Sequence, residues 1–496
     1  MSVAEPILVR DEPSDAHPST ANASRAGVVA RRAVYGATVG YAVLFSTAVT
    51  LYYYSFQEQR LDMGDMVQAI WSGAHGHLLD FTTPTGAQMS RLGAHVDIFL
   101  ALLVPLWWLV ASPLALLVIQ VFAVASGALP TYWLGRKHLG SDRAGAHLAV
   151  GYLLFPVTQF NAFTPLAGFH PVSFALPLLM YAIWFLDEKR LVPFSLVAVV
   201  AASTKEEIAA AIGCLGIWYA VRRGERAAGS TIAAIGFGVS AIEFLVILPH
   251  FSIAGFAPFA QRYSSVGGSV TGILHKAVAD PGGLLRAVGT PHKLGYLALL
   301  FVPFLGLFLA EPLLALAAVP DLAINLLSSF PNQTTLEYQY NAGIVPFLLA
   351  ASIIGMRKIR RDPERLAFYA FGGLAVLSVF SPLFALGGAA QAFGAQNAVR
   401  EAKTHAVHMI PSRVPVAASN HLAGYLSARK YVYVFPYIRN ARWVVIDQND
   451  TSTVADRAGY LRAIKQMDSY PAWDLVYASH GVQVLKKETL PGEGAP

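Results

Sequence analysis

The chain has 496 residues, of which 55% are hydrophobic and only 13% are charged, and its mean hydropathy is +0.48. Soluble chains carry about 25% charged residues, so this composition excludes a soluble multidomain protein and predicts a polytopic membrane protein. The net charge of +6 is small, and the basic residues cluster beside apolar runs, which argues against nucleic acid as a partner. The single cysteine, Cys214, allows no disulfide within the chain.

The N-terminal region predicts an uncleaved first span in the plasma membrane. Residues 1–24 combine acidic residues with Pro, Ser and Ala, which is typical of a disordered tail and not of a signal peptide. Arg25, Arg31 and Arg32 precede the apolar run 33–51, so the positive-inside rule places the N-terminus in the cytoplasm. The polar segment that follows belongs to a large first outer loop, residues 52–112.

The run 96–110 decides the topology of everything after it. It is short for a span, which needs about 20 residues, and we expect it to lie on the outer membrane surface or to re-enter. With that choice every later basic cluster falls on the cytoplasmic side, as the positive-inside rule requires. The transmembrane domain, residues 25–390, then has about eleven spans, which are 33–51, 113–134, 144–160, 172–186, 191–202, 207–221, 230–248, 294–310, 313–327, 342–355 and 366–386.

After Gly387 the composition changes to that of a soluble α/β unit. Periodicity predicts helices at 392–409, 421–428 and 453–467, and strands at 414–418, 431–435, 443–447, 473–478 and 482–486. We therefore predict a small extracytoplasmic α/β domain at 391–490, followed by a tail at 491–496. No glycine-rich phosphate motif occurs in it, so the sequence gives a nucleotide site no support.

Two aspartates, Asp62 and Asp65, lie three residues apart in the first outer loop. On a helical turn their carboxylates would share one face. A carboxylate at the membrane surface can act as a general base toward an acceptor hydroxyl, or hold a divalent cation, Mg²⁺ or Mn²⁺, that bridges to a phosphate leaving group. The alternative is a pair of solvated loop acids, with Asp62 as a helix N-cap. The sequence does not decide whether a metal is bound.

Histidines and a charged turn lie at the predicted outer ends of other spans. His95 begins the surface segment and His170 precedes a span, where an imidazole could contact phosphate or metal, or could simply stand before a helix. Lys205, Glu206 and Glu207 occupy a turn that offers almost no loop. They would either cap a helix, or Lys205 would bind a lipid phosphate while a glutamate orients it.

Gln339 and Tyr340 belong to the segment EYQYN, which directly precedes a predicted span. Aromatic residues at that depth are ordinary interfacial anchors. A sugar or a lipid head group would also use stacked aromatic rings beside a hydrogen-bonding amide. Arg262, in the long loop 250–293, is a further candidate for contact with an anionic head group.

In these residues the chain resembles a family of predicted membrane proteins, the domain-of-unknown-function family 2079. The resemblance rests on motifs in a set order, which are Asp62-x-Gly64-x-x-x-Gln68-x-x-Trp71, His95, Phe169-His170-Pro171, Lys205-Glu206-Glu207 and Tyr338-Gln339-Tyr340 with Pro346. That family is similar in layout to the GT-C glycosyltransferases, polytopic enzymes that move a sugar from a polyprenyl-phosphate carrier to an acceptor on the outer face. The resemblance implies a GT-C-like α-helical fold with surface helices in the first outer loop.

The resemblance also implies roles for the candidate residues. Asp62 takes the position that activates the acceptor, and His95, His170, Lys205 and Glu206 surround the donor phosphate. The candidate catalytic residues are Asp62 and Asp65, and the candidate substrate-binding residues are Gln68, Trp71, His95, His170, Lys205, Glu206, Glu207, Gln339 and Tyr340. The leading hypothesis is transfer of a sugar from a polyprenyl-phosphate carrier to a cell-envelope acceptor, with membrane lipid around the donor. The alternatives are a lipid or envelope-precursor transporter or flippase, and a non-catalytic envelope assembly protein. A carrier should place charges near mid-membrane, whereas these polar residues lie at outer ends.

Overall fold

The structure is a computed structural model that describes residues 20–165, 168–253, 258–359, 361–380, 390, 393–394, 397–452 and 456–488. Most of the predicted N-terminal tail and all of the predicted C-terminal tail lie outside these residues. The described chain is mostly helical, and a five-stranded sheet forms in its C-terminal part. A helical membrane domain with a C-terminal α/β domain is thus the observed class.

The helices up to residue 222 correspond in place to the first predicted spans and the first outer loop. They are α1 (Thr20–Tyr54), α2 (Asp65–Ala74), α3 (Phe99–Leu102), α4 (Val104–Leu109), α5 (Pro113–Ser126), α6 (Ala128–Leu139), α7 (Asp142–Leu154), α8 (Pro156–Ala162), α9 (Ala175–Asp187), α10 (Leu191–Ala202) and α11 (Ile208–Arg222). The predicted span 144–160 is divided between α7 and α8. Pro156 causes this break, because proline lacks a backbone donor and its ring blocks the continuation of a helix.

The helices after α11 are more often interrupted. They are α12 (Arg226–Ile242), α13 (Leu248–Phe251), α14 (Pro258–Arg262), α15 (Val270–Ala279), α16 (Pro281–Val288), α17 (Pro291–Phe301), α18 (Pro312–Ala315), α19 (Val319–Leu327), α20 (Val345–Met356) and α21 (Pro363–Val376). The predicted spans 294–310 and 313–327 do not form continuous helices, and a proline lies near the break in each, Pro303 in the first and Pro320 in the second.

Length and hydropathy identify four stretches of the described chain that could cross a membrane. They are Arg25–Tyr54, Pro113–Leu139, Arg226–Phe251 and Gln339–Met356, and shorter apolar helices include α10 and α11. Apolar side chains such as Val43 on α1 and Ile235 on α12 are about 60% exposed, whereas every residue of α20 is buried. The bundle therefore has α20 at its centre and lipid-facing helices around it, while the number of crossings, about eleven, stays a prediction.

The first predicted outer loop contains short helices and a hairpin, and its position on the outer surface stays a prediction. Residues 96–110 fold into the two short helices α3 and α4, which are far too short to span a bilayer. Between α2 and α3, strands β1 (Asp80–Thr82) and β2 (Gln88–Ser90) form an antiparallel hairpin in which Asp80 pairs with Ser90. The hairpin packs against α2 and covers one side of it.

The C-terminal domain has the predicted α/β elements. Its helices are α22 (Asn397–His408), α23 (Asn420–Tyr425) and α24 (Arg457–Asp468), and its strands are β3 (Val416–Ala418), β4 (Val432–Val434), β5 (Trp443–Asp447), β6 (Trp473–Ser479) and β7 (Val482–Lys487). The strand order is β4-β3-β5-β7-β6, with β3 parallel to β4 and β5 and the other pairs antiparallel. The first residues of the predicted helix 392–409 lie partly outside the described chain.

This domain packs closely on the first outer loop through α23. Gly424 makes the approach possible, since a Cβ there would lie 3.0 Å from the backbone carbonyl carbon of Gln59. The hydroxyl of Tyr425 donates to the backbone carbonyl of Tyr53. The loop that carries Asp62 is therefore held between the two domains.

Candidate functional site

A cavity of about 240 Å³ lies between the first outer loop and the membrane domain, at the end where the C-terminal domain packs. Its polar lining comes from segments far apart in the sequence, namely Asp62, Asp65, Arg91, His95, Asp97, His170, Lys205, Arg262, Gln339 and Tyr340. Most of the predicted site residues therefore meet in one place. Gln68, Trp71, Glu206 and Glu207 do not line this cavity.

Asp62 has an unusual backbone and an accessible carboxylate. Its φ of +81° and ψ of −93° lie in a region that residues with a side chain rarely adopt, and such strain is often found at functional sites. The side chain is 48% exposed to the cavity, and its Oδ1 lies 3.6 Å from Nε2 of His170. The position of Asp62 in the tight turn Arg60–Gly64, and not on a regular helix, also separates it from the face of Asp65.

The electrostatic surroundings keep Asp62 ionised. Removal from bulk water raises the pKa of its carboxyl, but the adjacent His170 and the charges of Arg91 and Arg262 outweigh this effect. The pKa of Asp62 therefore lies below its ordinary value. An ionised carboxylate can accept a proton from a hydroxyl group that enters the cavity.

The C-terminal domain holds the segment that leads into Asp62. Oδ1 of Asn420 accepts hydrogen bonds from the backbone N–H groups of Arg60, at 3.1 Å, and Leu61, at 3.3 Å. Its Nδ2 donates to Oε1 of Gln59 at 3.1 Å. Asn420 is almost fully buried, so its amide fixes the backbone conformation of this segment. The sequence contained no signal for this contact between residues some 360 positions apart.

His170 is positioned by a buried glutamine of the membrane domain. The backbone N–H of His170 donates to Oε1 of Gln120, at 2.8 Å, and Nε2 of Gln120 donates to the carbonyl oxygen of Asn161, at 3.0 Å. Gln120 lies within the apolar helix α5 and is 1% exposed. A single amide inside a hydrophobic span was the available signal, because a buried polar group needs partners.

Glu206 supports His95 from outside the cavity. Its Oε1 accepts from Nδ1 of His95 at 2.9 Å, and its Oε2 accepts from the backbone N–H of Val96 at 3.0 Å. Burial and the charge of Arg91 lower the pKa of His95 to about 3, so the ring is neutral at physiological pH. With Nδ1–H committed to Glu206, Nε2 is left as an acceptor. Glu206 is thus a positioning residue for His95.

Lys205 brings a permanent positive charge to the cavity. Burial lowers the pKa of its ammonium group, but the charges of Glu207, Glu206 and Asp321 outweigh burial and raise the pKa above its ordinary value. The ammonium pairs with Glu207 and lies 5.5 Å from the centre of the Tyr340 ring. Glu207 therefore neutralises part of the lysine charge without itself reaching the cavity.

Two arginines complete the positive side of the cavity. Nε of Arg91 donates to Oδ2 of Asp97 at 2.8 Å, and the guanidinium of Arg262 lies 4.8 Å from the centre of the Phe330 ring. The sequence marked Arg262 as a candidate, but Arg91 stood out only as one polar loop residue among many. Together with Lys205 they line the same cavity as Asp62, and the charges of Arg91 and Arg262 act on its carboxylate.

Asp65 differs from Asp62 in its contacts. Its carboxylate forms a buried ion pair with Arg60, and both side chains are close to fully buried. An acid that neutralises a buried guanidinium is needed there by the fold. Asp65 also lines the cavity, and its role as a second catalytic acid stays a prediction.

Gln68 and Trp71 lie on another side of α2, in a cleft of about 270 Å³ against the C-terminal domain. Nε2 of Gln68 donates to the backbone carbonyl of Lys430 at 2.8 Å, and its Oε1 accepts from the backbone N–H of Thr82 at 2.9 Å. These bonds connect the loop, the hairpin and the C-terminal domain. The contacts of Gln68 are thus structural, and its expected contact with substrate stays a prediction.

The described residues do not fit a resident divalent cation. Within that part of the chain, no group of three or more His, Cys, Asp or Glu side chains is placed to hold a metal. His170 lies beside Asp62, and the positive charges of Arg91 and Arg262 act on it, which disfavours Mg²⁺ or Mn²⁺ there. The divalent cation stays a prediction, and no step proposed below depends on it.

The chain matches one family model and is similar in fold to solved structures. A family model described as "Predicted membrane protein (DUF2079)" matches residues 52–483. Among solved structures, ArnT from Cupriavidus metallidurans in the apo state has a TM-score of 0.50 and 14% identity, over 90% of this chain and 98% of that chain. ArnT bound to undecaprenyl phosphate gives a TM-score of 0.49 with the same identity and coverage. No curated protein matches the chain. The likeness is one of fold, and it confirms the GT-C-like layout.

Proposed function

The chain belongs to the DUF2079 family of predicted membrane proteins, and from this premise we propose that it is a glycosyltransferase with a lipid-phosphate sugar donor. It transfers a sugar from a polyprenyl-phosphate carrier to a hydroxyl group of a cell-envelope acceptor on the outer face of the membrane. The GT-C-like layout supports this class of reaction, although a fold by itself does not select an activity. The selection rests on the chemistry of the cavity.

One observation carries the proposal: an ionised carboxylate on a strained backbone lines the same cavity as three cationic side chains, Arg91, Lys205 and Arg262. Asp62 can accept a proton, while Lys205 and Arg262 can bind an anionic leaving group. Sugar transfer from a lipid phosphate needs both functions at opposite ends of the reacting bond.

The reaction follows from this arrangement. The acceptor hydroxyl donates a hydrogen bond to Asp62 and attacks the anomeric carbon of the donor sugar. A new carbon–oxygen bond forms on one face while the bond from the anomeric carbon to the phosphate oxygen breaks on the other, so the configuration inverts. The proton passes to Asp62, and the bonding electrons leave with the polyprenyl phosphate, whose added negative charge Lys205 and Arg262 stabilise.

The size of the cavity limits which part of the donor it holds. Pockets for small molecules usually measure about 300–1,000 Å³, and this one measures about 240 Å³. It accommodates a sugar and its phosphate, so the apolar carrier chain stays in the surrounding lipid. Undecaprenyl phosphate, which ArnT binds in one of its structures, is therefore the probe that we choose.

Two variants of the full-length protein test the proposal. Asp62→Asn should bind undecaprenyl phosphate as the wild type does, but should lose transfer by about 10²–10⁴-fold, which is the usual effect of removing a general base. Lys205→Ala should weaken the binding of undecaprenyl phosphate. Lipid binding is measured on purified protein, and transfer is measured as the sugar content of envelope glycans in cells, by mass spectrometry.

The matched control is Asp474→Asn, which removes an exposed acid from strand β6 of the C-terminal domain. It should leave both measurements unchanged. Envelope glycans that are unaltered by Asp62→Asn and Lys205→Ala, with both proteins present at normal levels, would refute the proposal.

A further inference from the structure

A second polar cavity, of about 310 Å³, lies at the other end of the membrane domain. Helices α11 and α20 connect the two cavities. α11 begins three residues after Lys205 and ends at Arg222, and its 15 residues span roughly 22 Å at 1.5 Å per residue. α20 likewise follows Tyr340 and ends at Met356. By the positive-inside rule this second cavity faces the cytoplasm.

Cationic side chains dominate the lining of this inner cavity. It is lined by His138, Trp218, Arg222, Arg223, Glu311, Ile354, Arg357 and Lys358. Its one carboxylate, Glu311, is already neutralised, since it accepts from Nε1 of Trp218 at 3.0 Å and from Nε of Arg222 at 3.2 Å, and it also pairs with Lys358. The lining therefore carries an excess of positive charge.

The carboxylate behind the cavity does not remove that excess. Asp187 pairs with Arg223, but it also accepts from Lys137 at 2.7 Å and from Nε2 of His138 at 2.9 Å. Nε of Arg223 is buried and has no hydrogen-bond partner among the described residues. Asp187 thus shares its charge between Arg223 and Lys137, and Lys137 also pairs with Glu188.

Among the cationic residues of this lining, Arg357 has the fewest partners within the described chain. It is exposed at the end of α20, and no ion pair joins it to the described residues. The positive-inside rule and the helix dipole both favour basic residues at these helix ends. Neither the positive-inside rule nor the helix dipole requires arginines from α11 and α20 to line one shared cavity. Their presence in one cavity is therefore the observation that indicates an anionic ligand.

We propose that the inner cavity binds the phosphate of an anionic phospholipid head group. Guanidinium groups bind phosphate through paired hydrogen bonds, and basic pockets between membrane helices are typical sites for anionic lipids. Val221, at the end of α11, and Leu309, two residues before Glu311, are each 66% exposed and offer an apolar surface to acyl chains. A free phosphate shares the anionic chemistry but gains nothing from this apolar surface. The site is separate from the proposed transfer reaction.

Native mass spectrometry of the full-length protein in mild detergent tests this site. The probes are phosphatidylglycerol and phosphatidylcholine with identical acyl chains. We expect phosphatidylglycerol to bind preferentially, and Arg357→Gln to weaken that binding about fivefold, which is the usual factor for one basic residue near an anionic lipid. Arg357→Gln breaks no ion pair of the described chain, so its melting temperature without lipid should equal that of the wild type.

The matched control is Arg365→Gln, which removes an exposed arginine of α21 outside the cavity, and it should bind phosphatidylglycerol like the wild type. Equal losses in both variants, or equal binding of the two lipids, would overturn the site. Stabilisation by millimolar inorganic phosphate that depends on Arg357, without any preference for phosphatidylglycerol, would replace the lipid by a free phosphate and also overturn the proposal.

Discussion

Single residues explain why two neighbouring aspartates have different surroundings. Asp62 and Asp65 look alike in the sequence, and the interpretation of LDMGD as one helical turn gave them a common face. In the structure Asp62 is on a strained turn with its carboxylate in the cavity, while Asp65 starts α2 and pairs with Arg60. The difference depends on Arg60 and on a left-handed φ, and neither can be read from spacing.

We expect the two aspartates to respond differently to the same substitution. Asp65→Asn leaves the buried guanidinium of Arg60 without its counter-charge and should lower the free energy of unfolding by about 3–5 kcal/mol. Asp62→Asn should leave stability near that of the wild type, because its carboxylate faces the cavity. Thermal unfolding of the purified protein measures both effects. Equal destabilisation by the two substitutions would mean that Asp62 is also part of the structural frame.

A buried acid near the site gives a prediction about pH. Burial raises the pKa of Glu58 to about 8, against about 4.3 for an unfolded glutamate. Between these values the folded protein holds a proton that the unfolded chain has lost, so the free energy of unfolding should fall as pH rises from about 4.3 to about 8. Glu58→Gln should remove this part of the pH dependence.

The measurement is the melting temperature of wild type and Glu58→Gln across this pH range. The variant should be more stable than the wild type at pH 8, and the two should converge toward pH 4. Parallel curves for the two proteins would show that the carboxyl of Glu58 is ionised in the folded state.

At the level of elements, hydropathy located the helices well but not their interruptions. The predicted span 191–202 has the same bounds as α10, and the strand 443–447 the same bounds as β5. The span 144–160 is broken at Pro156, which lacks a backbone N–H donor. A hydropathy average does not detect this break, because the surrounding side chains are mostly apolar. Packing partners of whole elements were not predictable either, since α23 contacts a turn some 360 residues earlier.

Helix α23 should control the conformation around Asp62 through Asn420. Asn420→Ala removes the acceptor for the N–H groups of Arg60 and Leu61, so their amide hydrogens should exchange faster with solvent and transfer should fall. Hydrogen exchange of the full-length protein measures the first effect whether or not the proposed reaction is correct. The control is Asn449→Ala, an exposed asparagine of the same domain. Unchanged exchange at residues 60–61 would refute the role of Asn420.

At the scale of the whole molecule, the sequence predicted that polar residues from distant segments lie on one face of the membrane domain. Assigning each basic cluster to the cytoplasm placed Asp62, His170 and Lys205 on one face, and the structure brings all three to one cavity. Gln68 and Trp71 follow the same motif order but line another cleft. Membrane sidedness groups residues by face but does not give their lateral position, because that depends on how helices pack.

Both proposed sites depend on which side of the membrane each end of the protein faces, and this orientation can be measured. After Cys214→Ala, a single cysteine at Ser469 in the C-terminal domain should react with a membrane-impermeant maleimide on intact cells. A single cysteine at Arg361, an exposed position in the basic segment after α20, should react only after the membrane is opened. The reverse pattern would place Asp62 in the cytoplasm. Because a polyprenyl-phosphate sugar is used on the outer face in the proposed reaction, that result would remove its donor, whereas the contacts of the anionic-lipid site would persist in the opposite leaflet.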